Sequence, residues 1–397
     1  MILLNMSALE QYSTLLCDNV EMVVRGANLY NEVPSVCLAV CKVFFRIAKD
    51  KQHRPYLDRP SVVDCLASML RSSKTNATII ECTIWVLVCI PVSDATRSAL
   101  LKGRVVASVV SALTTFIDNP RIVQYAAQLF YQFSSHPSLL SALRKNRAVR
   151  PLVSVVALKC VPDNVRCAAI RALCAILKGV RCPCDTATKL ILALLRIGST
   201  AMDSSPLKLE VIEALRVLSS DPTVALLMPQ LHVDNCVIDM TMTLLGSHEY
   251  ALAVATLFAT LAEKNVLFAR DRVVRILLCL MNPIKTTKVT KTEEEDILVW
   301  EQCCRAFCVL LKQSPSVVTS TIERLFKAFV SLMCHHGMHP RLIGLEMECF
   351  MSFQKLSLFL IHLYVLHPPF ECFFTCIFWQ QNHHFMCRRL HLMKQRL

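Results

Sequence analysis

Residues 162–179 read PDNVRCAAIRALCAILKG, and this stretch states most openly a pattern that the chain repeats from end to end. Ala169, Ala172, Leu173, Ile176 and Leu177 fall at i, i+3, i+4, i+7 and i+8, which gives a helix one broad apolar face. Pro162 and Asp163 open the helix, and Asp163 can accept a hydrogen bond from the otherwise orphaned amides of the first turn. Lys178 suits the negative end, and Gly179 can take the left-handed stop.

Recurrence gives this helix its meaning. A matching apolar centre appears at Phe44, Leu87, Phe130, Leu173, Leu215, Leu257, Phe307 and Phe350, at intervals of 43, 43, 43, 42, 42, 50 and 43 residues. A period held that closely is the signature of stacked units, none of which can bury its own apolar face without neighbours. Leu66, Val110 and Leu152 sit in shorter helical patterns between the centres, so each unit reads as two shorter helices and one long one.

A repeat of this length, often with a small residue just before the large one in its last helix, resembles the armadillo family and its HEAT relatives. The resemblance runs over roughly residues 5 to 355. Its most family-like unit is 93–134, where ATRSALLKG, RVVASVVSALTTF and PRIVQYAAQLFYQF follow as short, second and long helix. Gly103 stands at the turn that armadillo repeats usually fill with glycine. Arg59 and Pro60, or Asn146 and Arg147, occupy the same turn elsewhere. The resemblance implies an all-α fold, an armadillo-like right-handed superhelix, or α-solenoid, of about seven to eight three-helix repeats.

Composition agrees with one long array. The chain has 397 residues, 54% apolar, with only 7 glycines and no sharp change of character before about residue 350. The expected organisation is a repeat array over 1–350 with a loop insertion at 283–296, followed by an irregular tail over 351–397. The insertion, PIKTTKVTKTEEE, is polar and lacks apolar spacing, and it accounts for the 50-residue interval. In the tail, 8 of the 18 phenylalanines fall between 350 and 385 while the helical period dissolves. A membrane-spanning reading of the tail fails, because His362, His367, Pro368, Pro369 and Glu371 interrupt it. Val180 to Cys184 leave little room for a first helix, so the unit after Gly179 is expected to be compressed.

Most of the 21 cysteines, Cys41, Cys82, Cys167, Cys174, Cys303 and Cys308 among them, occupy apolar helix positions and read as small hydrophobes rather than a disulfide framework. The opening MILLNMSALEQ has no basic leader, and the expected setting is intracellular and cytoplasmic, with nuclear or cytoskeletal association open. A net charge of +13 permits attraction to acidic partners, but the charge is dispersed and does not alternate with aromatics as a base-stacking platform requires.

Little in the sequence points to catalysis. Cys182 and Cys184, and the cluster Cys334, His335, His336 and His339, hold metal-ligand residue types without a paired Cys-x2-Cys partner. Phosphate loops, nucleophile elbows and His-Glu-x-x-His are missing. No enzyme activity, catalytic residue, metal or cofactor is therefore expected.

In armadillo-like arrays the long helices line a concave groove, and by resemblance the residues two before and two after each apolar centre face it. These pairs are Lys42 and Arg46, Trp85 and Cys89, Gln128 and Gln132, Arg171 and Ala175, Glu213 and Val217, Ala255 and Ala259, and Arg305 and Val309. Importin-α-like transport receptors use a tryptophan and an asparagine there, and only Trp85 matches. The expected function is thus a protein-interaction scaffold that holds an extended acidic or neutral partner segment with Lys42, Arg46, Trp85, Gln128, Gln132, Arg171 and Arg305. The alternatives are a karyopherin-like transport adaptor or an RNA-binding helical repeat protein.

Overall fold

A computed structural model describes residues 13–200, 205–242, 247–267, 270–281 and 292–313. Every regular element among them is helical. The first unit holds α1 (Ser13–Asp18), α2 (Val20–Leu29) and α3 (Pro34–Lys49), and the second a 3-10 turn (Arg54–Leu57), α4 (Pro60–Ser72) and α5 (Ala77–Cys89). The third comprises α6 (Asp94–Lys102), α7 (Val105–Thr115) and α8 (Pro120–Ser134), the fourth α9 (Pro137–Lys145), α10 (Val149–Ala157) and α11 (Asp163–Leu177). The fifth has only α12 (Cys184–Thr200) and α13 (Ser205–Ser219). The sixth holds α14 (Pro222–Ala225), α15 (Val233–Met242) and α16 (His248–Glu263), and the seventh α17 (Arg270–Met281) and α18 (Thr292–Gln313).

These helices stack as two ladders. Each long helix packs on the next in the order α3, α5, α8, α11, α13, α16, α18, while the second helices pack as α2, α4, α7, α10, α12, α15, α17. One continuous apolar core runs between the ladders. The periodic centres occupy it as the spacing requires: Phe44, Phe130, Leu215, Leu257 and Phe307 are at 0% exposure, and Leu173 at 1%. The architecture is an α-solenoid.

Local chemistry explains the element ends. Asn76, Ser93, Asn119 and Ser247 cap α5, α6, α8 and α16 through their side chains. At α11 the expectation needs correcting: Pro162 is the cap residue, and Asp163 lies inside the first turn, where it pairs with Arg166 at 3.2 Å rather than capping. Gly179 does take the left-handed conformation at φ +72.

The turn between the first two helices of a unit behaves differently from its glycine pattern. Gly103 is right-handed, at φ −68, and it is Arg104 that takes φ 53. Arg147 and His232 do the same in later units, at φ 56 and 53. The glycine serves close approach instead, since a Cβ there would lie 3.0 Å from the Ala67 Cβ. Gly198 plays that part between α12 and α15: a Cβ at this position would meet Met240 Sδ at 2.2 Å.

The compressed fifth unit is as the sequence suggests, with no helix over 180–183. Asp221 ties this linker to the next unit. Its carboxylate accepts from the Cys182 amide at 3.0 Å, and from the Thr223 amide and hydroxyl at 2.9 and 2.8 Å. Burial acts to raise its pKa, but the hydrogen bonds from Thr223, Cys182 and Val224 outweigh that and hold it below the ordinary carboxylate value.

Several long-helix ends are capped from downstream. Arg54 donates to the Ala48 carbonyl (2.9 Å), Gln132 to Val88 (3.1 Å), Lys264 to Ser219 and Ser220 (2.6 and 2.8 Å), and Gln313 to Ala262 (2.8 Å). The end of α11 is served from upstream by Arg144, which donates to Ile176 and Lys178 at 3.0 Å each.

The expected loop over 283–296 is shorter at its far end, because α18 already begins at Thr292. The rest of that loop, the centre Phe350, the tail over 351–397 and the cluster at Cys334 to His339 lie outside the described residues. Among those described, no helix is long and apolar enough to cross a membrane. Among the described residues no cysteine is in a disulfide, and burial pushes Cys41, Cys65 and Cys174 up to about 12.

Candidate partner-binding groove

A groove of about 740 Å³ crosses four consecutive units. It runs from the linker after α5, at Ile90 to Val92, over the C-terminal part of α8 with Tyr131 and Gln132, and across α11 and α13. Arg171, Ala175, Glu213 and Val217 line it together with Gln132, so five positions of the sequence ladder meet on one surface.

The geometry follows from helix periodicity. At about 100° per residue, positions two and five either side of a buried centre point away from it. Lys178, five after Leu173, and Glu210, five before Leu215, therefore join the same lining. The ladder spacing of two residues either side of a centre does not reach these positions, which lie one turn further along the same face. Tyr131, Cys174 and Arg216, each one past a centre, form the flank; Tyr131 is 54% exposed.

Charge in the groove is largely matched internally. Arg171 pairs with Glu210 across successive units, while Arg216 pairs with Glu213 at 2.7 Å. Burial raises the pKa of Glu210, opposed by the hydrogen bond and charge of Arg171; the same bond pushes Arg171 up. Gln132 commits its amide N–H to the Val88 carbonyl. Between these polar groups Tyr131, Cys174, Ala175 and Val217 leave an apolar strip.

The other ladder residues are distributed along the array. Lys42 and Arg46 are both exposed on α3 and have no carboxylate within ion-pair distance among the described residues. Trp85 is half-buried and stacks on Phe45, ring centroids 4.1 Å apart and 32° between planes. Gln128 is half-buried on α8. Arg305 is far along the array on α18 and pairs with Glu263 of α16. Cys89, Ala255 and Ala259 are buried rather than groove-facing. In the sixth unit the small side chains of α16 permit a close approach to α18, so the ladder face is not open there.

Among the described residues no three His, Cys, Asp or Glu side chains are gathered to hold a metal ion; Cys182 is buried and Cys184 exposed.

No protein-family model matches the chain, and the search of curated proteins gave no match. Solved structures do match. A crystal structure of an engineered protein overlays with a TM-score of 0.64 at 17% identity, covering 89% of this chain and 83% of that one. A chain from a structure concerning a conserved phosphorylation switch that controls the interaction between cadherin and β-catenin overlays at 0.62 and 14% identity, covering 84% of this chain and 60% of that one. A designed armadillo repeat protein in complex with the peptide (KR)4 overlays at only 0.43 and 14% identity, covering 72% of this chain and 98% of that one, which adds nothing to the assignment. By its stacked helical units and the first two of these overlays, the chain has an armadillo-like α-solenoid fold.

Proposed function

We propose that the chain is a non-catalytic scaffold that binds an extended, acidic or neutral segment of a partner protein in the groove that runs from the linker after α5 over α8, α11 and α13. The observation that carries the reading is the groove itself, about 740 Å³ lined from the linker after α5 to α13, with Arg171, Glu210, Glu213, Arg216 and Gln132 held by ion pairs or a hydrogen bond. Held side chains lose little freedom on binding, which favours a preformed protein-binding surface.

Charge supports the stated partner class. Lys42 and Arg46 on α3 and Lys178 on α11 have no ion-pair partner among the described residues, so a cationic segment would be repelled and an acidic one steered in. Burial raises the pKa of Cys41, Cys65 and Cys174, which disfavours these thiols as nucleophiles. An interaction role accords with the armadillo-like fold, and the setting we infer is inside the cell.

A photo-crosslinking amino acid placed at Ala175 tests the proposal, with the same group at Lys102 on α6 as control. A partner crosslinked from Ala175 and not from Lys102 is the expected outcome. Crosslinking from Lys102 alone would move the binding surface off the groove.

A further inference from the structure

The groove contains two chemically different regions, and their separation specifies more about the partner than its charge. The strip formed by Tyr131, Ala175 and Val217 is flanked by Arg171 with Glu210 and by Arg216 with Glu213, pairs that neutralise four of the charges beside it. A partner carboxylate approaching Arg171 or Arg216 must displace Glu210 or Glu213, with Lys178 in the same lining the one cation lacking an ion-pair partner among the described residues, whereas an apolar side chain covers Tyr131, 54% exposed, and disturbs neither pair. Lys42 and Arg46 present the opposite chemistry: two exposed cations four residues apart on α3, one turn of one helix face, with no internal counter-charge among the described residues. They hold the same ladder positions relative to Phe44 as Arg171 and Ala175 hold relative to Leu173, so both regions lie along one track.

Resting on the scaffold reading above, we infer that the partner segment is bipartite, with an apolar anchor residue for the Tyr131–Ala175–Val217 strip and acidic residues for Lys42 and Arg46. The spacing follows from the architecture. From α3 to α11 there are three helix-to-helix steps, α3 to α5, α5 to α8 and α8 to α11. At roughly 8–10 Å per step the track is about 24–30 Å long. An extended chain covers that in about 7–9 residues at roughly 3.4 Å each. Between the two ends lie Trp85, half-buried against Phe45, Gln128, half-buried, and Gln132, exposed and already donating one amide N–H to the Val88 carbonyl. Paired arginines beside an apolar strip at one end, and two adjacent cations, unpaired among the described residues and with no apolar strip between them, at the other make the two regions chemically different.

The test uses the full chain as bait for a random 16-residue peptide library displayed on phage. Enriched sequences are expected to carry a large apolar residue and two acidic residues about 7–9 positions apart. In fluorescence anisotropy, the best peptide should bind Tyr131→Ser at least about tenfold more weakly at any salt concentration. The double variant Lys42→Glu, Arg46→Glu should lose about tenfold, with the loss shrinking as salt rises. The net-charge-matched control Lys102→Glu, Lys145→Glu on α6 and α9 should bind as the parent does, and circular dichroism checks that each variant folds. Enriched sequences without that spacing, no enrichment, or equal loss in the control variant would overturn the bipartite inference. Crosslinking from Ala175 alongside such a result would leave the scaffold reading standing; absence of crosslinking there would remove both.

Discussion

At the scale of single residues, the left-handed turn positions and Asp221 carry the sharpest consequences. Arg147 is exposed at φ 56, a conformation that costs a side-chain-bearing residue of order 1 kcal/mol and costs glycine nothing locally. Arg147→Gly is accordingly expected to leave stability unchanged or raise it by up to about 1 kcal/mol, despite glycine's greater freedom when unfolded, as read from the urea midpoint. Asp221 works in the other direction. Its folded pKa is held below the unfolded value of about 3.9, so its stabilising contribution is complete above that value and is lost as pH falls through the folded pKa. Asp221→Ala should destabilise by about 1–3 kcal/mol at pH 7, and the gap from the parent should narrow below about pH 4. A gap that stayed constant down to pH 2 would mean that the carboxylate's charge is irrelevant to its bonds.

At the scale of the element, the long helices were legible because burial obeys a fixed angular rule. Residues 162–179 already contained the apolar stripe, the stop at Gly179 and the register that places Leu173 in the core. Capping was less legible: Asp163 and Arg166 are three apart, and pairing with the arginine competes with capping the amides. The turn glycine was legible as a position but not for its reason, since the approach of Ala67 to Gly103 belongs to tertiary packing. The groove was legible in half. Gln132, Arg171, Ala175, Glu213 and Val217 follow from the ladder, but the pairing of Arg171 with Glu210 and of Arg305 with Glu263 joins residues 39 and 42 apart and depends on how successive helices are offset. Leu173→Ala should cost about 2–5 kcal/mol in urea unfolding, with α8 and α13, the long helices packed on α11, losing hydrogen-exchange protection before distant units do. An equal loss of protection across all seven units would argue that they do not unfold through nearest neighbours.

At the scale of the whole molecule, the downstream caps give the stack a polarity that an idealised repeat array lacks. The end carbonyls of α3, α5, α13 and α16 receive donors from residues that follow them in the chain, Arg54, Gln132, Lys264 and Gln313. Shortening the chain from its N-terminal side removes acceptors and returns their donors to water, which costs little because a freed arginine, lysine or glutamine solvates readily. Shortening it from the other side removes donors and strips the new terminal helix of the partner for its last-turn carbonyl. Two shortened proteins, one lacking residues 1–50 and one lacking everything after 265, should therefore differ in how cleanly the new end closes. The N-terminally trimmed form is expected to keep a single sharp urea transition, and the C-terminally trimmed form to fray, with α16 open to protease at temperatures where the rest remains folded. Chain growth on the ribosome meets the same asymmetry: α3, α5, α13 and α16 each emerge before the group that seals them, and stay unsealed until the next unit has been made, whereas α11 emerges with its Arg144 seal already made.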